Sequence, residues 1–172
     1  MLPLTRESII TAAIALADDE GLDAVTLRKL GERLGVSAMA PYRHVRDKDD
    51  LLDAMSEELY GQLELPDPAR DWWDGLAGMG RTVRSLLLAH PWAVPLFGRP
   101  LSGPNGEALD AAMRDAFLRA GFSPAEAREL HDQLSNMVFA LVIPELRGTP
   151  NRAAFERGLE LLHAGLEARR TS

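Results

Sequence analysis

Apolar residues recur at spacings of three and four along most of the chain, and no stretch alternates apolar with polar positions as a half-buried strand does. The first repeat, with Ile9, Ala13 and Ala17 on one face, is typical of an amphipathic helix. We therefore expect an all-α protein. Helices are predicted at about 6–20, 27–34, 38–44, 48–64, 71–90, 107–120, 124–146 and 151–169, with a short helix or turn at 91–97 and a loop at 98–106.

Residues that favour helix ends support these boundaries. Pro124 suits the first position of its helix, Gly35 suits the left-handed position that ends one, and Pro144 is expected to kink or end its helix. Side chains able to cap an N-terminus precede five of the predicted helices, at Thr5, Thr26, Ser37, Asp47 and Ser123.

The character of the chain changes after Pro66 and Pro68, which break the helical pattern. A long amphipathic segment at 71–90 and all three tryptophans follow these prolines. We predict an N-terminal domain of three helices at residues 5–64, with a fourth helix shared as a linker. A C-terminal helical domain is predicted at residues 65–172.

Charge is distributed unevenly along the chain. Residues 28–48 hold six cations and two anions, a local charge of +4, although the whole chain carries −7. A basic patch on an acidic protein is typical of a confined surface that faces phosphate groups. A solvated helical face with chance clustering explains the charge alone equally well.

Composition excludes several classes of function. The chain has 172 residues, of which 46% are apolar, enough for a packed core. It has no cysteine, so disulfides, thiolate metal sites and cysteine nucleophiles are excluded. No nucleophile–base pair or phosphate loop stands out, and His90, His131 and His163 lack the close spacing of a metal pair. We expect a protein that is not an enzyme and binds no metal or cofactor.

The sequence also bears on localisation. The N-terminal residues do not resemble a signal peptide. The longest apolar run, at 137–143, is far shorter than the roughly 18 residues that a membrane span needs. We expect a cytoplasmic protein without a membrane partner.

The most informative segment is 26–52, which predicts two short helices joined by a tight turn at Gly35. Such a helix-turn-helix reads DNA when its second helix is short, exposed and able to enter the major groove, which is about 12 Å wide. Ala38 and Ala40 are small, so the backbone here can approach a duplex closely. The segment therefore predicts a DNA-binding helix-turn-helix.

Polar and cationic side chains of this segment suit contacts with DNA. Arg43 can donate to guanine or phosphate, and Tyr42 and His44 can donate to phosphate oxygens. Lys48 lies at a helix N-terminus, which favours phosphate, and Arg28 can reach a groove edge. Two alternatives stay open, because Tyr42 can instead tie two helices together in the core and His44 can serve in packing or capping.

Three further residues of the segment have mixed interpretations. Thr26 is a helix cap in any case, and a phosphate contact would be additional. Met39 would be an ordinary core residue elsewhere, but between polar turns on a reading helix it is expected to be exposed. Pro41 falls at the fourth position of its predicted helix, where it forfeits one hydrogen bond.

Together these features resemble the DNA-binding domain of the tetracycline-repressor (TetR) family. The resemblance covers about residues 5–64. Gly31 departs from the family pattern, which usually has Ala there, and Ala40 with Pro41 replaces a more usual pair. The resemblance rests on a capping Thr, a Gly-Val-Ser turn, a Tyr followed by His and Val, and a Lys followed by two leucines, at Thr26, Gly35, Val36, Ser37, Tyr42, His44, Val45, Lys48, Leu51 and Leu52.

The resemblance implies a homodimeric transcriptional regulator, most simply a repressor, which binds a palindromic operator in double-stranded DNA. It also implies release of the operator when an apolar or aromatic small molecule occupies the C-terminal domain. A DNA-binding architectural or cell-division factor without a ligand is the alternative, and an activator is not distinguished from a repressor. Carried over by position, the residues facing DNA would be Thr26, Arg28, Ser37, Ala38, Met39, Ala40, Tyr42, Arg43, His44 and Lys48.

Most large apolar residues after residue 70 are expected in the core or at an interface. A minority would line a ligand pocket, because pockets are built from the same residue types. The last two predicted helices carry broad apolar stripes, and we expect them to pair with a second copy as a four-helix bundle. The candidates for the pocket are Met79, Val83, Leu87, Trp92, Phe97, Met113, Phe117, Leu134 and Met137.

Overall fold

The computed structural model describes residues 4–101, 103–148 and 151–170. Within these ranges the chain is helical and contains no strand, which confirms the predicted all-α class. Short 3₁₀ helices occupy Leu22–Ala24, Pro41–Arg43 and Pro91–Gly98. The α-helices are α1 (Arg6–Glu20), α2 (Leu27–Arg33), α3 (Lys48–Tyr60), α4 (Trp72–Ala89), α5 (Pro104–Arg119), α6 (Pro124–Leu146) and α7 (Arg152–Arg170).

The helices form two compact units. The N-terminal unit extends to Gly61 and also includes the later segment Trp92–Asn105. The C-terminal unit comprises Gln62–Pro91 and the chain from Gly106 onward. The sequence-based division near residue 64 did not foresee that a later segment returns to the first unit. None of the helices in the described ranges is both long and apolar enough to cross a membrane.

In the N-terminal unit, α1, α2 and α3 each direct one apolar face into a shared core. Ile9, Leu30, Leu51 and Met55 are fully buried there. Burying side chains of this size contributes about 1.5–3 kcal/mol each. Three of the four caps predicted in this unit are present, at Thr5, Thr26 and Asp47. Thr5, for example, forms a reciprocal capping box with Ser8 in the first turn of α1.

The turn after α2 brings two pieces of backbone unusually close together. Gly35 adopts φ = +66°, which suits glycine, and the Val36 amide donates to the Gly31 carbonyl at 2.9 Å. A Cβ atom at Gly31 would lie 3.0 Å from the Ser37 carbonyl oxygen and 3.1 Å from the Ala38 Cα. Gly31, the departure from the family pattern, therefore permits the turn to pack directly against α2.

The predicted α-helix at 38–44 is not present. In its place the chain makes tight i→i+3 turns, in which the amides of Ala40, Arg43 and His44 donate to the carbonyls of Ser37, Ala40 and Pro41. The physical reason is Pro41, whose missing N–H removes the bond that would continue an α-helix. Ser37 contributes its carbonyl rather than the predicted side-chain cap. We call residues 37–45 the reading turn.

Helix α3 begins as predicted, because Asp47 accepts the Asp50 amide at 2.8 Å. It ends at Tyr60, four residues before the predicted end. Gly61 follows directly and gives its N–H to the Glu57 carbonyl. Glycine has low helix propensity, which explains why the helix stops at Gly61.

The C-terminal unit is built from α4, α6 and α7, with α5 packed beside them. At its centre Phe117 is fully buried and lies beside the rings of Trp72 and Phe122. Arg84 on α4 forms a bidentate pair with the buried carboxylate of Glu145 on α6, at 2.7 and 2.5 Å. Hydrogen bonds from the Arg84 guanidinium lower the pKa of Glu145.

Helices α5 and α6 test two features of the sequence-based boundaries. Helix α5 begins at Pro104, three residues early, since proline is well suited to a first helical position. Helix α6 has the predicted capping box between Ser123 and Glu126. It continues past Pro144 to Leu146, because the exposed position of the proline lets water satisfy the carbonyl that lacks its partner.

Candidate nucleic-acid interface

One side of the reading turn is buried in the core of the N-terminal unit, and the opposite side is exposed. Pro41 is buried and Val45 is only 1% exposed, so both belong to the core of the unit. Met39 and Tyr42 point away from that core and are 68% and 48% exposed. The exposure of Met39 agrees with the expectation from the sequence. The exposed ring of Tyr42 does not fit the alternative in which Tyr42 is a core residue.

The structure brings the ten predicted DNA-facing residues onto α2, the reading turn and the start of α3. Ala40 and His44 are half-buried and the other eight are exposed. Thr26 caps α2, where its side-chain oxygen accepts the Lys29 amide at 3.2 Å. Arg28 is 81% exposed and its Nε lies 3.2 Å from the Glu32 carboxylate.

Neighbouring carboxylates neutralise part of the basic segment. Lys29 pairs with Glu20, and Arg33 pairs with Asp19 at 2.6 Å. Within the described part of the chain, Arg43 and Lys48 form no ion pair. The cations of this segment without an ion pair are therefore Arg43, in the reading turn, and Lys48, at the N-terminus of α3, where backbone N–H groups also favour an anion.

One carboxylate fixes where the reading turn ends. Both terminal nitrogens of Arg6 on α1 donate to Asp50, at 3.0 and 2.9 Å, and the Arg46 amide donates to Asp50 at 2.9 Å. Arg6 also donates to the His44 carbonyl at 2.8 Å. These hydrogen bonds hold the pKa of Asp50 well below its usual range, so the carboxylate stays charged.

The segment Trp92–Asn105 adds a second layer of contacts to the N-terminal unit. The indole N–H of Trp92 donates to Asp18 on α1 at 2.6 Å, and Phe97 packs edge-on against Tyr60 on α3. Burial raises the pKa of Tyr60 to about 12. Arg99 pairs with Asp53 on α3 at 2.7 Å. This segment therefore contacts α1 and α3, the two helices that the Arg6–Asp50 pair joins.

The predicted ligand-pocket residues do not lie in one unit. Trp92 and Phe97 belong to the N-terminal unit, whereas the other seven belong to the C-terminal unit. Leu134 and Met137 line a shared groove of about 330 Å³ between α6 and α7. The remaining candidates, Met79, Val83, Leu87, Met113 and Phe117, are at most 6% exposed. Residues 4–101, 103–148 and 151–170 contain no group of three or more potential metal ligands.

Two family models match successive parts of the chain. The model described as bacterial regulatory proteins, tetR family, matches residues 9–55, which contain the reading turn. The model described as tetracyclin repressor-like, C-terminal domain, matches residues 65–154. The chain belongs to the TetR family.

Two named relatives are similar over most of the chain. An HTH-type transcriptional regulator of Saccharopolyspora erythraea is 36% identical over 83% of this chain and 61% of its own length. The class A tetracycline repressor of Escherichia coli is 36% identical over 92% of this chain and 74% of its own length. The chain thus spans about three fifths of the first relative and three quarters of the second.

Solved TetR-family structures share the fold over nearly the whole chain. ActR of Streptomyces coelicolor in complex with actinorhodin is 27% identical, with a TM-score of 0.84 over 99% of this chain and 100% of that chain. BioQ with its double-stranded DNA operator is 25% identical, with a TM-score of 0.81 over 96% of this chain and 99% of that chain.

Replacing Asp50 by Asn should loosen the reading turn without changing its exposed face. We expect the free energy of unfolding of the N-terminal unit to fall by about 2 kcal/mol, because hydrogen bonds to a charged group are lost. Hydrogen exchange in α1 and α3 measures this loss. Asp49→Asn is the matched control, since the Asp49 side chain is 83% exposed on the same helix and should change stability little.

The effect of Asp50→Asn should also depend on pH. Because the folded-state pKa of Asp50 is lowered, its contribution is fully present above the unfolded pKa of about 3.9 and is lost as the pH falls through the folded pKa. The difference between wild type and variant should stay constant from about pH 7 to pH 5 and shrink below about pH 4. A difference that is unchanged at about pH 2 contradicts this role of Asp50.

Proposed function

We propose that this protein is a ligand-responsive transcriptional regulator, acting as a repressor in the cytoplasm rather than as an enzyme. In this proposal a homodimer binds a palindromic operator and releases it when a small molecule binds the C-terminal unit. The observation that carries the proposal is the reading turn, an exposed and anchored loop that contains Arg43 and precedes Lys48, two cations without an ion pair among the described residues.

The chemistry of the reading turn supports contact with duplex DNA. Its small exposed side chain at Ala38 lets the backbone approach a base pair, and Arg43 can donate to guanine in the major groove. Tyr42 and Lys48 lie where they can contact phosphates and set the register of the protein. The operator complex of BioQ shows that a relative of this fold binds double-stranded DNA.

The groove between α6 and α7 supports dimerisation. Leu161 is 75% exposed and Met137 is 45% exposed, although both are apolar and stand on neighbouring helices. Exposed apolar side chains grouped in one groove mark an interaction surface. A second copy placed on this surface would complete a four-helix bundle and, by two-fold symmetry, set two reading turns about 34–36 Å apart on DNA. The other residues that line the groove are Leu130, Gln133, Leu134, Leu162, Gly165, Leu166 and Arg169.

The C-terminal unit suits an apolar or aromatic effector. Its core brings together the aromatic side chains of Trp72, Trp73, Phe117 and Phe122, and His163 stacks on Trp73 with a centroid distance of 4.7 Å. Aromatic side chains of this kind bind flat apolar molecules where a cavity opens beside them. Among the relatives, ActR was solved with actinorhodin and the class A repressor is named for tetracycline.

Selection of operators from random duplex DNA tests the DNA-binding part of the proposal. One palindrome is the expected result. Arg43→Ala should then weaken binding mainly at one base pair, by about 1–3 kcal/mol, whereas Lys48→Ala should weaken all sequences alike and reduce the salt slope by about one unit. Many scattered sites would instead indicate an architectural factor, and the reverse pattern for the two variants would refute their assigned roles.

Leu161→Glu should separate the dimer, because a charge would be buried in the contact between copies. Analytical ultracentrifugation at micromolar concentration should show a dimer for the wild type and a monomer for the variant. Leu118→Glu is the matched control, since Leu118 is an exposed leucine on α5, outside the groove. A wild-type protein that sediments as a monomer contradicts the proposed assembly.

Ligand release is tested with the selected operator in a gel shift. Actinorhodin and tetracycline are the first probes, and a compound that prefers the DNA-free form should weaken operator binding by about 5–150-fold. An unrelated repressor on its own operator controls for compounds that act on the DNA. If neither probe, nor a wider set of hydrophobic compounds, nor a native cell extract lowers the affinity, the sensor role is wrong.

A further inference from the structure

The apex of the reading turn is apolar. Ala38, Met39 and Ala40 follow one another there, and none of their side chains can donate or accept a strong hydrogen bond. Among the described residues of the N-terminal unit, the large apolar side chains that are exposed are Met39 and Tyr42. Both therefore lie on the surface that we propose contacts DNA.

Folding of the unit does not explain the placement of Met39. Pro41 and Val45 supply the apolar anchors of the same turn, while Met39 is 68% exposed and buries little area. Met39 and its exposed neighbour Tyr42 are therefore free of the core and accessible to a partner of this surface. The adjacent unpaired cations Arg43 and Lys48 indicate that this partner is a polyanion.

Duplex DNA offers few apolar features to such a side chain. In the major groove, guanine, adenine and cytosine present hydrogen-bonding groups, whereas thymine also presents its C5-methyl group. An aliphatic side chain gains from covering that methyl group and gains nothing from the polar edges. The backbone of Ala38, the residue before Met39, packs directly against α2 at Gly31, so the position of Met39 is set by this contact.

We propose that Met39 determines operator specificity by contacting the 5-methyl group of one thymine in each half-site. This inference rests on the proposed function, and it names a base-edge chemistry that the family resemblance left open. The discrimination at this position is made by an apolar contact, whereas Arg43 discriminates at its own position through hydrogen bonds.

The test uses the operator selected from random DNA. Each thymine of one half-site is replaced in turn by deoxyuridine, which removes the methyl group and keeps every hydrogen-bonding group. At one position the replacement should weaken binding about fourfold, the value expected for one buried methyl group. 5-Methylcytosine at that position should bind more tightly than cytosine, because it restores the methyl group alone.

Variants then connect the effect to Met39. In Met39→Ala the difference between thymine and uracil should disappear at that position, whereas Met39→Leu should retain it. Met39→Gln is similar in length but polar, and it should shift the preferred base at that position toward adenine. Arg43→Ala is the control, since it should leave the thymine–uracil difference unchanged. Met39 is exposed, so these variants should fold, and circular dichroism checks this.

The possible outcomes separate this inference from the proposed function. A half-site without thymine, a thymine–uracil difference of less than twofold at every position, or an unchanged difference in Met39→Ala overturns the role of Met39 while DNA binding stands. Failure to select any specific sequence overturns the proposed function itself, and the role of Met39 with it.

Discussion

The carboxylate of Asp50 is the constraint on which the reading turn depends. It accepts two hydrogen bonds from Arg6 and one from the Arg46 amide, so it joins α1 to the end of the turn and the start of α3. The turn itself has little regular structure, because Pro41 prevents an α-helix there. A loop without continuous helical hydrogen bonds keeps one geometry only if its ends are fixed. Asp50 fixes the C-terminal end of the reading turn, and the absence of a side chain at Gly31 lets the N-terminal end pack against α2.

Local features of the sequence predicted most of the fold. The helix starts at Thr5, Thr26, Asp47 and Ser123 follow from side chains that bond nearby amides, and the apolar repeats follow from the period of a helix. Each of these signals lies within a few residues of the structure it determines. Reading them together gave the all-α class and the position of the DNA-binding helix-turn-helix.

Features that depend on distant residues were not predictable in this way. The pairing of Arg6 with Asp50 spans 44 positions, and no periodic pattern in the sequence predicts it. Trp92 and Phe97 were assigned to a ligand pocket because aromatic residues suit pockets, yet they pack in the N-terminal unit. The 3₁₀ form of the reading turn is not predictable from the local sequence for another reason. Proline is tolerated in the first turn of an α-helix, and only the packed structure shows that no such turn forms around Pro41.

The return of Trp92–Asn105 makes the two units interleaved in sequence, because the chain crosses between them at residues 61, 91 and 105. A chimera that exchanges only the first sixty residues between family members would separate α3 from its partners Phe97 and Arg99. Grafting a new operator preference onto this protein therefore requires either both segments as a matched set or changes confined to the solvent-facing side of the reading turn. Evolution of its target sequence is subject to the same restriction.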